Sequence, residues 1–147
     1  MRKMKELILK KMKEKGLKLT PQRVAIVEAF VEQNPLHPSA RLIHQEAKKK
    51  YRGLSFSTVY LTLNELSKRG IIKMLEFDRM ENRFDGNVDE HINLICKGCR
   101  KITDHEAPPD LHGQVIGEKA QFLVTESRLE YYGFCSECIE KLSAGPR

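Results

Sequence analysis

Along the first half of the chain, apolar residues recur at helical spacing between clear stop signals. Met4, Leu7, Ile8 and Met12 form one stripe, which Gly16 ends. Thr20 stands as an N-cap with Pro21 at the first helical position, and Val24, Val27, Phe30 and Val31 then share a face. Asn34-Pro35-Leu36-His37-Pro38 must be a connection, after which Ser39 caps a third helix with Ala40, Ile43, Ala47 and Tyr51 as its apolar side. Arg52-Gly53 is a turn; a fourth helix begins near Ser55 or Ser57, carries Val59, Leu63 and Leu66, and ends at Arg69-Gly70.

The period then changes. Ile71 to Phe77 and Arg83 to Asp85 read as two short strands around the turn Asp78-Arg79-Met80-Glu81-Asn82, and helices followed by a β-hairpin is the order of a winged helix-turn-helix. Gly86 to Glu90 is polar and hinge-like. His91 to Ile95 alternates as a strand, Arg100 to Asp104 is its return, Pro108-Pro109-Asp110 opens a helix through Leu111 and Val115, and Gln121 to Leu129 is a further strand candidate. The pattern predicts an α+β chain with domains at 1–85 and 86–147.

The length of 147 residues, with 40% hydrophobic and 31% charged, fits a folded protein of one domain or two small ones. No run approaches the ~18 apolar residues of a membrane span, and Met1-Arg2-Lys3-Met4-Lys5 leads into an amphipathic pattern rather than a signal-peptide core. A soluble, cytoplasmic protein is expected. The net charge of +6 conceals an asymmetry: residues 1–85 hold 19 Lys and Arg against 10 Asp and Glu, whereas residues 86–147 hold 7 against 10. A basic module joined to an acidic one suggests that the first half meets a polyanion.

The fourth helix sharpens that suggestion. With Val59, Leu63 and Leu66 buried, the other side presents Ser57, Tyr60, Leu61, Asn64 and Lys68, a hydrogen-bonding and apolar mixture suited to base edges in a major groove. Lys18, Arg23, Lys48, Lys49, Lys50 and Arg79 could hold phosphates, which supply affinity without sequence choice.

All four cysteines lie in the acidic half, as Cys96-x-x-Cys99 and Cys135-x-x-Cys138. Two such turns can complete a closed tetrahedral zinc site, structural because no position is left open; disulfides and a redox-active pair are the competing readings. A second, harder set is available in His37, Asp85, His91 and Asp104, with Asn93 beside them, and suits Fe(II), Mn(II) or Zn(II). Taken singly, each of these is an ordinary surface polar group, and spacing alone does not assemble the site.

Together, Leu19-Thr20-Pro21-Gln22-Arg23, His37-Pro38, Ser57-Thr58-Val59-Tyr60, Arg83-Phe84-Asp85, His91-x-x-x-x-Cys96-x-x-Cys99 and Cys135-x-x-Cys138 resemble the Fur family of metal-dependent repressors, over roughly residues 5–142. Within it the chain is most similar to the peroxide-sensing PerR branch. The resemblance implies a homodimer with an N-terminal winged-helix DNA-binding domain, a C-terminal α/β dimerisation domain, structural zinc on the four cysteines, and an inverted-repeat operator. It places regulatory Fe(II) or Mn(II) on His37, Asp85, His91, Asp104 and position 93. Thr58 belongs to the matching helix motif, and Tyr60 matches the family's base-reading tyrosine.

Asn93 departs from the pattern, which has His there; an amide carbonyl ligates more weakly. Glu126 and Ser127 occupy a strand where His is often found, so a neighbouring metal site of some members is expected to be missing or altered. Asp104 favours the peroxide-sensing branch, in which iron-dependent oxidation of a ligating His, here His37 or His91, releases metal and DNA. A ferric- or zinc-uptake regulator indifferent to peroxide, a metalloenzyme using His91, Asp85 and Asp104, and a zinc-stabilised adaptor are the alternatives.

Overall fold

The computed structural model describes residues 2–77 and 80–143. The chain separates into two units after Val88. Arg79 and the start of the 78–82 turn lie outside the described residues. No helix among the described residues is long and apolar enough to cross a membrane.

The N-terminal unit contains helices α1 (Arg2–Glu14), α2 (Pro21–Gln33), α3 (Ala40–Lys50) and α4 (Phe56–Lys68), followed by strands β1 (Lys73–Leu75) and β2 (Arg83–Asp85). Three of the helices start at side-chain caps read from the sequence. Thr20 accepts from the Arg23 N–H, Ser39 from that of Leu42, and Ser55 from that of Thr58, at 3.3, 3.2 and 3.1 Å. Their apolar sides meet in one core built on Met12, Ile26, Phe30, Ile43, Leu63 and Leu66, joined by Phe84 from the wing.

Burying Phe84 removes ~2 to 3 kcal/mol worth of apolar surface from water, which ties the wing to the helices. The tie is reinforced through the backbone, since the Phe84 N–H donates to Pro38 O at 2.9 Å and Ser39 bridges Arg83.

Some sequence expectations shift. Leu7 is 51% exposed, because Ile8 takes the core position of the first turns. Tyr51 leaves the apolar side of α3 and caps its end at the surface. The first wing strand is only Lys73–Leu75: Ile71 and Ile72 are buried in the bend that closes α4, where the Ile71 N–H donates to Leu66 O at 2.9 Å, so they fill the core instead of extending a ladder.

In the C-terminal unit, β3 (His91–Cys96) is the central strand of a three-stranded sheet. It pairs antiparallel with β4 (Ile102–Glu106) and parallel with β5 (Glu130–Gly133); α5 (Gly113–Ala120) lies in the crossover and α6 (Ser136–Ser143) follows. The return strand therefore starts and ends two residues later than expected. Pro109–Leu111 is a separate 3-10 turn, and α5 opens only at Gly113.

The expected strand over 121–129 is absent. Residues 122–129 are irregular, with Phe122 and Leu123 70% and 85% exposed, and the strand is Glu130–Gly133. Gln121 adopts a left-handed conformation at the end of α5, and Val124 is taken up against Gly113, whose added Cβ would sit 2.8 Å from its Cγ1. Glu126 and Ser127 accordingly stand on an irregular segment rather than a strand.

Candidate metal centres and nucleic-acid interface

The four cysteines arrive from separate parts of the sheet unit. Cys96 ends β3, Cys99 closes the following turn, Cys135 follows β5, and Cys138 lies in the first turns of α6. Their sulfurs lie within 4.8 Å of one another, and all four thiols are unbridged. The Cys99 and Cys135 sulfurs are 3.8 Å apart. Metal–sulfur bonds of ~2.3 Å in a tetrahedron demand about that edge, whereas a disulfide requires ~2.05 Å.

Gly98 makes the convergence possible, because a Cβ there would come within 2.8 Å of the Cys138 sulfur. Backbone N–H groups of Cys135, Cys99 and Gly98 hold Cys96 down to about 5, whereas the hydrogen bond to Cys96 and burial push Cys138 up to about 12. One thiolate is preformed; another must lose its proton to ligate.

The harder donors form a pair in each unit. In the N-terminal unit, His37 Nε2 lies 3.5 Å from Asp85 Oδ2, and the two residues are only 3% and 1% exposed. His37 follows the 3-10 turn Asn34–Leu36 with a left-handed backbone, φ 50°, which aims its ring into the unit. Arg83 holds that loop, donating to the carbonyls of His37 and, at 2.7 Å, Leu36. Burial pulls the Arg83 guanidinium below its ordinary value, while Glu81 opposes the shift. A carboxylate as deeply buried as Asp85 demands a cationic partner.

In the C-terminal unit, His91 Nε2 lies 3.1 Å from Asp104 Oδ1. His91 and Asn93 share one face of β3, and Asn93 is the cross-strand partner of Asp104. The Asp89 carbonyl lies 2.8 Å from His91 Nδ1. A carbonyl can only accept, so Nδ1 donates to it, which orients the ring with Nε2 facing the Asp104 carboxylate. The Asn93 side chain is 3% exposed, and its Oδ1 is a buried acceptor with no hydrogen-bond partner among the described residues. Such an orphan costs about 1–3 kcal/mol unless a ligand completes it.

Helix α4 displays Ser57, Tyr60, Leu61 and Lys68 on its exposed side, with Leu61 67% exposed. Thr58 is half-buried and accepts from the Ser55 hydroxyl at 2.9 Å, and Asn64 is half-buried with Oδ1 wholly enclosed and no hydrogen-bond partner among the described residues. Phe56, which the sequence did not single out, stacks on Tyr60 at 6.1 Å and receives the edge of His44 at 5.9 Å. The spacing of Phe56 and Tyr60, one helical turn apart, was the available signal.

The phosphate-contact candidates divide. Lys18 is exposed and its carbonyl accepts from Arg23 at 2.9 Å, and Lys48 is exposed. Lys49 pairs with Glu46 at 3.0 Å and Lys50 with Glu32 at 2.7 Å. The Glu32 hydrogen bond raises the Lys50 pKa, so the pair has its charge already matched.

The ferric uptake regulator family model matches residues 14–132. The chain is 37% identical over 134 residues to the peroxide operon regulator of Bacillus subtilis, covering 90% of this chain and 92% of that one. Among solved structures, the Helicobacter pylori ferric uptake regulator, whose structure reveals three functional metal-binding sites, matches with a TM-score of 0.72 at 27% identity, over 94% and 93% of the two chains. The Campylobacter jejuni peroxide stress regulator matches with a TM-score of 0.65 at 26% identity, over 88% and 98%. With capped helices and a wing in one unit, and clustered thiols and paired His and Asp residues in the same chain, the match extends over both units: the protein belongs to the ferric uptake regulator family.

Proposed function

We propose that this chain is a metal-dependent, homodimeric transcriptional repressor that responds to peroxide. The observation carrying the reading is the separation of its metal donors into two chemistries, four converged thiols and two pairs of imidazole and carboxylate, in a chain 37% identical to a peroxide operon regulator.

Cys96, Cys99, Cys135 and Cys138 would hold zinc. A site of four thiolates leaves no position for substrate or effector, so its role is to fasten β3, β5 and α6 together. His37, Asp85, His91, Asn93 and Asp104 would hold the regulatory Fe(II) or Mn(II). Occupancy of the set would favour the DNA-binding state by as much as the ion's affinity differs between the two states.

Tyr60 and Leu61 on α4 would face base edges, where the ring hydroxyl can hydrogen-bond and Leu61 can meet a thymine methyl. Ser57 and Lys68 flank them, Asn64 and Thr58 support the helix from its half-buried sides, and Lys18 and Arg23 would meet phosphates. A second copy of the chain is the partner that fits the exposed Phe122, Leu123, Tyr131, Ile139 and Leu142 of the C-terminal unit, an apolar surface too extensive for that small sheet to leave in water. Twofold symmetry then calls for an inverted-repeat operator.

Iron bound at the regulatory set supplies the one-electron chemistry that activates hydrogen peroxide. The imidazoles of His37 and His91 are the oxidisable side chains in that set, and a modified ring no longer offers the same lone pair. Brief peroxide treatment of the Fe(II)-loaded repressor should add one oxygen atom to His37 or His91 in peptide mass spectra and release DNA, whereas the Mn(II)-loaded form should keep both. Unmodified rings with unchanged DNA binding favour the second reading, a ferric uptake type regulator, which the likeness to the Helicobacter pylori protein supports.

A further inference from the structure

We infer that Arg69 is a positioning residue for DNA binding: it ties the end of α1 to the end of α4, so that Lys15, Lys18 and Arg23 form with Lys68 one basic platform for the phosphate backbone beside the groove that α4 enters. The inference rests on the DNA-binding reading of α4 and adds to it a residue that acts through the cations it holds in place.

Arg69 follows α4 directly, and its guanidinium serves two acceptors at once. Nε donates to the Glu65 carboxylate one turn back at 2.6 Å, and Nη1 donates to the Lys15 carbonyl, 54 positions away, at 2.9 Å. Lys15 follows the last residue of α1, and Gly16, with φ 79°, turns the chain out of the helix. The Lys15 carbonyl is therefore where α1 gives way to the connection that carries Lys18. At the other end of that connection, Arg23 in the first turn of α2 donates from Nη1 to the Lys18 carbonyl at 2.9 Å. Two arginines thus pin the connection at both ends.

The charges of the two segments meet at Glu65. Its carboxyl is held below the usual carboxylate range first by the hydrogen bond from Arg69 and by the Arg69 charge, and further by the charges of Lys68 and Arg23. Leu61, Glu65 and Arg69 succeed one another at four-residue spacing, so the platform continues the exposed side of α4 that bears Tyr60 and Leu61. Lys15, Lys18, Lys68 and Arg69 are exposed. Cations gathered beside a helix suited to base edges match the phosphates that flank a major groove.

A cation is also favoured where the C-termini of two helices meet, through their dipoles. Lysine would meet that need as well as arginine does, but its ammonium lacks the planar fork that addresses a carboxylate and a carbonyl together. The exchange of one for the other therefore separates the two roles.

The test uses full-length, zinc-loaded protein with Mn(II) present, as wild type, Arg69→Lys, Lys18→Ala and the double variant, binding a fluorescein-labelled duplex of mixed sequence, with anisotropy followed over a range of NaCl concentrations. The slope of log affinity against log salt counts phosphate contacts at ~0.9 each, so Lys18→Ala should flatten it by about that amount. Arg69→Lys should flatten it by ~0.9 or more although the formal charge is unchanged. Adding Lys18→Ala to Arg69→Lys should then flatten it by less than Lys18→Ala does alone, because residues that act through one another are not additive.

Circular dichroism and retained zinc report whether each variant is folded. If Arg69→Lys is not, Arg69→Gln decides, and must flatten the slope by more than ~0.9, the most that its own lost charge explains. An unchanged slope in Lys18→Ala or in folded Arg69→Lys, or full additivity of the two, overturns the platform while leaving DNA binding standing. Absence of duplex binding by wild type overturns the DNA-binding reading itself, and this inference with it.

Discussion

Histidine 37 and histidine 91 are both held from behind by groups that the sequence does not advertise. The Asp89 carbonyl accepts from His91 Nδ1 and orients its ring, and Arg83 fastens the left-handed loop that carries His37. The donors themselves were legible as residue types, since His and Asp at these positions can bind metal wherever they stand. Their support was not, because a backbone carbonyl leaves no mark in the alphabet and Arg83 lies 46 positions from His37. Arg83→Met should therefore lower the unfolding free energy by about 1.5 kcal/mol or more, the range for hydrogen bonds from a charged donor, measured by urea denaturation of zinc-loaded protein. A change within ~0.5 kcal/mol, the scale of ordinary surface substitutions, would show that the loop holds without it.

At the scale of elements, the helical half was the more readable. Local capping by Thr20, Ser39 and Ser55 agrees with the packing of Ile26, Ile43 and Leu63, so short-range signals sufficed there. The sheet half depends on long-range pairing: β5 finds its partner across a crossover, and the apolar run before it stays irregular despite its strand-like pattern. Even α5 begins without a local cap, its Gly113 N–H donating to the Glu90 carboxylate at 2.9 and 3.1 Å. Such an assembly leans on its thiol cluster, and the thiols are not equivalent.

With Cys96 held to about 5, that sulfur is already a thiolate at neutral pH, so zinc loading of the metal-free protein should release at most three protons per ion. Cys138, pushed up to about 12, must supply one of them. Zinc affinity should rise with pH accordingly, because deprotonation of a raised thiol becomes less costly as protons grow scarce. Calorimetry in buffers of differing ionisation enthalpy counts the protons; release of four would contradict the preformed thiolate.

For the whole molecule, the charge asymmetry and the two metal chemistries describe one division of labour. The basic unit presents α4, the acidic unit gathers the thiols, and each carries a His–Asp pair. The family was legible because its motifs are spread in order over both units, and the enclosed, unpartnered Oδ1 of Asn93 was not, because only burial exposes an amide oxygen as an orphan. Linkage makes the central claim strict: if metal strengthens DNA binding, DNA strengthens metal binding by the same factor. The most direct measurement is the affinity of zinc-loaded dimer for an inverted-repeat duplex at fixed salt, titrated with Mn(II) and then with a chelator that leaves the thiol-bound zinc in place. The account predicts affinity at least ~5-fold higher with Mn(II), the lower end of common allosteric couplings, and its reversal on chelation. Equal affinity in both states would contradict a metal-dependent repressor.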